Sequence, residues 1–128
     1  MLTGTFLCTK YALPRLRQSG SSRAINIASV HGLVALPLKS AYVAAKHGVL
    51  GFTKALALEE AANGIIANAV CPSYIRTALA EEQVTSQAQA NDMTEAEALE
   101  EIILECVAIK RLLEPEMVGA ALHQNCPK

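Results

Sequence analysis

Two short apolar runs, residues 23–29 and 65–71, stand on either side of one long helical pattern, residues 43–62. Each run is rich in isoleucine, valine and alanine and has the length of a strand buried in a sheet. The segment between them carries apolar side chains at Val49, Phe52 and Leu56, and Asn63 and Gly64 close it with the glycine favoured just past a helix end. Pro72 stops the second run. Strand, helix and strand in that order make one βαβ unit. Its strands must run parallel, because the helix carries the chain back to the starting edge, and the crossover is right-handed. The fold class is therefore α/β.

Composition narrows the partners. The 128 residues allow at most one domain of ordinary size, and 52% hydrophobic content suits a buried core. A net charge of −1 favours neither nucleic acid nor an anionic membrane surface. No stretch reads as a membrane span or a signal peptide, so a cytoplasmic protein is expected. Cys8, Cys71, Cys106 and Cys126 have no C-x-x-C spacing and are expected to be reduced and packed, with Cys71 in the core. Together with His31, His47 and His123 they form no ligand set, and no metal site is expected.

Ligands of parallel sheets bind beyond the carboxyl ends of the strands. Ser29 ends the first run there, followed by a loop through Val30, His31 and Gly32, and the loop from Pro72 to Thr77 leaves the second run at the same edge. Tyr42 follows Ser29 by thirteen residues and Lys46 follows Tyr42 by four. Residues four apart share one helix face. A phenol is a poor base at neutral pH, and a cation beside it favours the phenolate. Hydroxyl, phenol and ammonium together can move a proton on and off a secondary alcohol.

These residues resemble the short-chain dehydrogenase/reductase family. The similarity is carried by the strand ending in Ser29, the Tyr42-x-x-x-Lys46 helix, and the Asn68 to Pro72 run with Thr77 five residues on, and it extends over residues 2–121. It implies a partial doubly wound, Rossmann-like fold: the catalytic half of such a domain across residues 1–128, with one βαβ unit and a helical lid at 79–113. It also implies NAD as cofactor, with Tyr42 exchanging the substrate's hydroxyl proton. Lys46 would assist Tyr42 and contact the nicotinamide ribose, and Ser29 would hydrogen-bond the reacting oxygen. Pro72 and Thr77 would line the cofactor, Thr77 at the nicotinamide amide.

Within the family, the runs 25–35 and 39–48 are most similar to members acting on short 3-hydroxy acids such as 3-hydroxybutyrate. A carboxylate needs cationic or donor groups near the reacting carbon. The resemblance assigns that task to His31, Lys39 and Gln83, with Tyr74 as an aromatic pocket wall where the family usually has tryptophan. Ser73 replaces a usual glycine, and its β-carbon would crowd the nicotinamide if that residue needs positive φ. The alternatives are a 3-oxoacyl thioester or sugar substrate, or a non-catalytic remnant that persists only in an oligomer.

Other family features are missing. No glycine-rich turn occurs to place a helix N-terminus under a pyrophosphate. Met1 stands where the family has a catalytic asparagine, and residues 121–128 depart from the pattern. The expectation is a fragment, inactive and without measurable NADH affinity by itself. A sheet of only two strands would leave apolar surface uncovered.

Residues 2–18 read as an amphipathic helix in which Pro14 forces a kink or an early end. Residues 19–22 read as a surface loop. By resemblance, the 2–18 and 40–62 helices pack against their copies in a homo-oligomer. In the acidic segment 79–113, Thr94 and Glu97 predict a capping box at a helix entry, and Pro115 a late helix start.

Overall fold

Residues 1–126 are described by a computed structural model. In chain order it contains α1 (Leu2–Ser19), β1 (Arg23–Ile27), α2 (Ser40–Glu60), β2 (Ile66–Val70), α3 (Ala78–Ala90), α4 (Glu95–Glu97) and α5 (Pro115–Gln124). The residues divide into two compact units, 1–72 with 120–126 and 73–119.

The first unit is the predicted βαβ crossover. β1 and β2 pair in parallel, with Arg23 opposite Ile66 and Ile27 opposite Val70. The Ala28 amide extends the ladder by donating to the Val70 carbonyl at 2.8 Å. Paired residues of a parallel ladder share a face, so Ala24, Asn26, Ala28, Ala67 and Ala69 lie on one side. That side meets α2, where Ala28, Val49 and Leu50 form a buried cluster with Ala69 and Cys71 packed on it. Leu56 and Ile65 are also buried. The opposite side carries Ile27 and Ile66, which are 49% and 48% exposed. This is the apolar surface that a sheet of only two strands was expected to leave uncovered. Helix α2 covers one face, and on the other Asn125, just past the end of α5, accepts a hydrogen bond from Asn68 at 3.1 Å.

Helix α1 does not end early at Pro14 but runs through it to Ser19, where Gly20 ends it at φ 69°. A proline removes only the bond to the carbonyl four residues back. That carbonyl belongs to Lys10, which is exposed, so water can satisfy it. Arg17 of α1 forms a two-pronged ion pair with the buried Glu60 at the end of α2, and the Asn63 amide donates to the same carboxylate at 2.8 Å. Helix α2 begins at Ser40, three residues before the periodic pattern suggested, so Tyr42 lies inside it.

The second unit has its own core of Val84, Ala88, Ala98, Ile103, Leu104 and Leu112. The capping box forms as expected: Thr94 Oγ1 accepts from the Glu97 amide, and the Glu97 carboxylate accepts from the Thr94 amide at 2.8 Å. The helix it opens passes at once into a π-helical turn, Ala98–Ile103, which the sequence did not announce. A one-residue parallel bridge between Ile75 and Leu113 ties the ends of the unit, and an exposed Arg76–Glu114 ion pair lies beside it at 3.0 Å.

All four cysteines are free thiols. Cys71 packs on the core as expected, whereas Cys8, Cys106 and Cys126 are exposed. Each of those three sits on a helix face or turn where only one side is covered, so spacing alone did not place it. Of the divergent tail, α5 continues to Gln124, while Pro127 and Lys128 lie outside the described residues. No helix among the described residues is long and apolar enough to cross a membrane.

Candidate active site

At the carboxyl end of β1 the chain turns sharply. Ser29, buried and extended at φ −172°, caps a 3₁₀ turn, Val30–Gly32, by accepting from the His31 amide at 3.2 Å. A serine oxygen that accepts one hydrogen bond still has its own proton to donate. The Val30 amide donates to the Pro72 carbonyl at 2.9 Å, which brings Pro72 to the same end of the sheet. Gly32 is where this turn touches α2. A β-carbon there would stand 2.9 Å from the Lys46 carbonyl and 2.9 Å from Leu50 Cδ1, so only glycine allows the approach.

Tyr42 and Lys46 project from adjacent turns of α2, both half-buried. The Lys46 ammonium lies 5.7 Å from the centre of the Tyr42 ring and donates to the Ile27 carbonyl at 3.1 Å. Its two remaining protons are directed elsewhere. The ladder shows which edge that carbonyl occupies. Ala28 and Val30 direct their amides to the β2 side, so Ile27, which alternates with them along the strand, directs its backbone groups to the outer edge of β1. Lys46 therefore spans from the tyrosine to the strand's outer edge. Sequence reading missed this partner because a backbone carbonyl carries no residue signature.

The His31 ring meets the Tyr42 ring edge-on, with centroids 6.3 Å apart and planes at 71°. Its pKa is lowered, first by burial and then by the positive charge of Lys39, against which a hydrogen bond with the Val34 backbone works. Lys39 occupies the cap position of α2 and is exposed. Just before it, the fully exposed Leu38 adopts φ 61°, the left-handed region that leucine rarely enters. Ser29, His31, Tyr42, Lys46 and Pro72 thus converge at one end of the strand pair, with Lys39 close enough for its charge to act on His31.

Tyr74, Thr77 and Gln83 belong to the second unit. Thr77 caps α3, its oxygen accepting from the Ala80 amide at 3.3 Å, and Gln83 is half-buried on that helix. Ser73 is not among the residues at positive φ, so the strain that a β-carbon there would have caused does not arise. The described residues contain no group of three or more potential metal ligands.

A strand-ending serine with a Tyr-x-x-x-Lys helix on a parallel βαβ unit is a dehydrogenase arrangement, and comparison with known proteins agrees. The family model for short chain dehydrogenases matches residues 1–88, and the chain belongs to that family. It is 44% identical over 119 residues to D-beta-hydroxybutyrate dehydrogenase of Rhizobium meliloti and 46% identical over 119 residues to that of Cupriavidus necator. Each match covers 93% of this chain and 46% of the relative. Among solved structures, an actinorhodin polyketide ketoreductase variant with NADPH superposes with a TM-score of 0.84 at 37% identity, over 96% of this chain and 48% of that one. The chain therefore spans about half the length of the curated relatives it matches.

Proposed function

We propose that this chain supplies the proton-transfer half of a nicotinamide-dependent oxidoreductase acting on a short 3-hydroxy acid. The observation that carries the reading is the convergence of Ser29, Tyr42 and Lys46 at one end of the strand pair, with the ammonium 5.7 Å from the phenol ring. Tyr42 takes the proton of the substrate hydroxyl during oxidation and returns it during reduction. Lys46 holds positive charge beside Tyr42 as that proton leaves. Ser29 donates to the reacting oxygen and keeps it in place while its own cap bond fixes its direction.

The residues present fit one end of the cofactor. Lys46 keeps two protons beyond the one given to Ile27, which suits a ribose diol, and the family resemblance assigns Pro72 and Thr77 to the cofactor as well. When bound, the nicotinamide supplies the hydride acceptor or donor. For the pyrophosphate end, this chain carries no glycine-rich turn that would place a helix N-terminus under it. NAD is the form the family resemblance implies, whereas the ketoreductase structure carries NADPH.

For substrate, the similarity to hydroxybutyrate dehydrogenases supports His31, Lys39 and Gln83 as carboxylate contacts and Tyr74 as a wall. The same similarity supports segment 79–113 as a lid that excludes water during hydride transfer. The exposed apolar side chains of α1, among them Phe6, Leu7 and Tyr11, support helix packing between copies of the chain. A second reading, a 3-oxo thioester substrate, is supported by the likeness to the ketoreductase.

A chimera tests these readings, with residues 2–121 replacing the matching half of the Rhizobium meliloti relative. It should oxidise D-3-hydroxybutyrate with NAD, and Lys39→Ala should raise KM about tenfold or more with cofactor affinity unchanged. Unchanged KM for the hydroxy acid, with turnover of a 3-oxo thioester, would select the second reading. By itself the chain should show no saturable quenching of NADH fluorescence.

A further inference from the structure

The face of the sheet that receives α2 is nearly flat. Its side chains are Ala24 from β1, Ala28 just past it, and Ala67 and Ala69 from β2, with Asn26 among them and the larger Ile65 and Cys71 only at the ends of β2. Alanines allow a helix to lie close, but they offer few projections to stop it from sliding along its axis. Asn26 supplies the directional contact. Its amide donates to the Thr53 hydroxyl at 2.8 Å, and that hydroxyl, buried at 4% exposure, donates in turn to the Val49 carbonyl at 2.7 Å.

We propose that Asn26 and Thr53 are positioning residues that set the axial register of α2 on β1 and so hold Tyr42 and Lys46 against the Ser29 turn. Tyr42 lies eleven residues before Thr53 on the same helix, about 16 Å away along its axis at 1.5 Å per residue. Slipping the helix by one residue displaces the phenol by about 1.5 Å, enough to spoil a proton transfer that tolerates about 1 Å. Gly32 against Lys46 and Leu50 limits the approach of turn and helix, but its contact is steric and leaves sliding open. The Asn26 to Thr53 bond closes that freedom about two to three turns from the site, together with the Lys46 bond to the Ile27 carbonyl at the site itself. Asn26 is a lone amide in an apolar strand, and this is the signal that could have marked it in the sequence.

The consequence for catalysis rests on the proposed role of Tyr42, whereas the positioning itself is measurable without substrate or cofactor. In the chain, the His31 and Tyr42 rings are close enough for nuclear Overhauser cross-peaks, and the His31 pKa is held low by its surroundings. Asn26→Ala leaves the Thr53 hydroxyl bonded to Val49, so no buried donor is orphaned. It should keep the circular dichroism of the folded chain, lose the ring cross-peaks and move the His31 titration back toward the ordinary histidine value. Thr53→Val should do the same, and Thr53→Ser, which retains the hydroxyl, should restore both signals.

Wild-type cross-peaks and His31 titration in a folded Asn26→Ala chain would overturn the proposal. Unfolding of Asn26→Ala would also overturn it, because the pair would then hold the whole fold and not the register. In the active chimera, Asn26→Ala should lower kcat tenfold or more with KM changed less. An inactive chimera alongside lost cross-peaks would reject the proposed chemistry and leave the positioning intact.

Discussion

The two units of this chain reach order by different means. The first is held by backbone pairing and by polar contacts with fixed directions: Asn26 to Thr53, Arg17 to Glu60, and Lys46 to Ile27. Its helix-facing sheet surface is almost all alanine. The second has a single bridge in place of a ladder and a continuous apolar core of Val84, Ala88, Ala98, Ile103, Leu104 and Leu112. A packed apolar core tolerates repacking more readily than hydrogen-bonded register does. The contrast teaches where accuracy is needed. The proposed proton-transfer groups sit on the unit whose strands and helix are indexed by polar contacts, and the segment proposed to cover substrate sits on the unit with the larger apolar core.

Core truncation should break the comparison most visibly. Leu56→Ala and Leu104→Ala each remove a side chain no more than 2% exposed and should cost about 2–5 kcal/mol locally. If the units are ordered by separate cores, hydrogen exchange will show Leu104→Ala loosening residues 78–112 while β1 and β2 keep their protection. Equal loss of protection in the strands would mean the two cores are one.

Acid should act mainly on the first unit through two groups. The Glu60 pKa is lowered, chiefly by the Arg17 hydrogen bond, so its contribution is complete above the unfolded carboxylate value and vanishes as pH falls through the lower folded value. His31, lowered chiefly by burial, adds stability that is complete above about 6.5 and is lost as pH falls through its folded value. Urea midpoints measured from pH 8 to pH 3 should therefore fall in two stages. Glu60→Gln should flatten the lower stage and His31→Asn the upper one.

Smaller effects are expected in the second unit. Thr94→Ala removes the capping box and should cost about 1 kcal/mol, with the Glu97 pKa, held low chiefly by the Thr94 side chain, rising toward its usual value by NMR titration. Arg76→Ala breaks an ion pair whose partners are about half exposed and should change stability by less than about 1 kcal/mol. A larger loss would show that the Ile75–Leu113 bridge depends on it.

The βαβ unit was legible because residues 23–29 and 65–71 have strand composition and the segment between them has helical period, and no other topology joins them simply. Ser29, Tyr42 and Lys46 were legible as chemistry-bearing side chains at the expected edge, and Thr94 with Glu97 as a cap. Three things were not legible. The continuation of α1 through Pro14 depends on solvent reaching the Lys10 carbonyl, a tertiary fact. The Ile27 carbonyl as partner of Lys46 belongs to the backbone, and no residue type announces it. The π-helical turn at Ala98–Ile103 likewise has no sequence signal that we identify.

The central claim is that Tyr42 is the proton-transfer group of a hydride-transfer site. Its most direct test is Tyr42→Phe in the chimera, which removes one oxygen and leaves the ring against His31. The account predicts that kcat for D-3-hydroxybutyrate oxidation falls about 10²–10⁴-fold while nicotinamide binding persists. Oxidation at an undiminished rate in the Tyr42→Phe protein would contradict it.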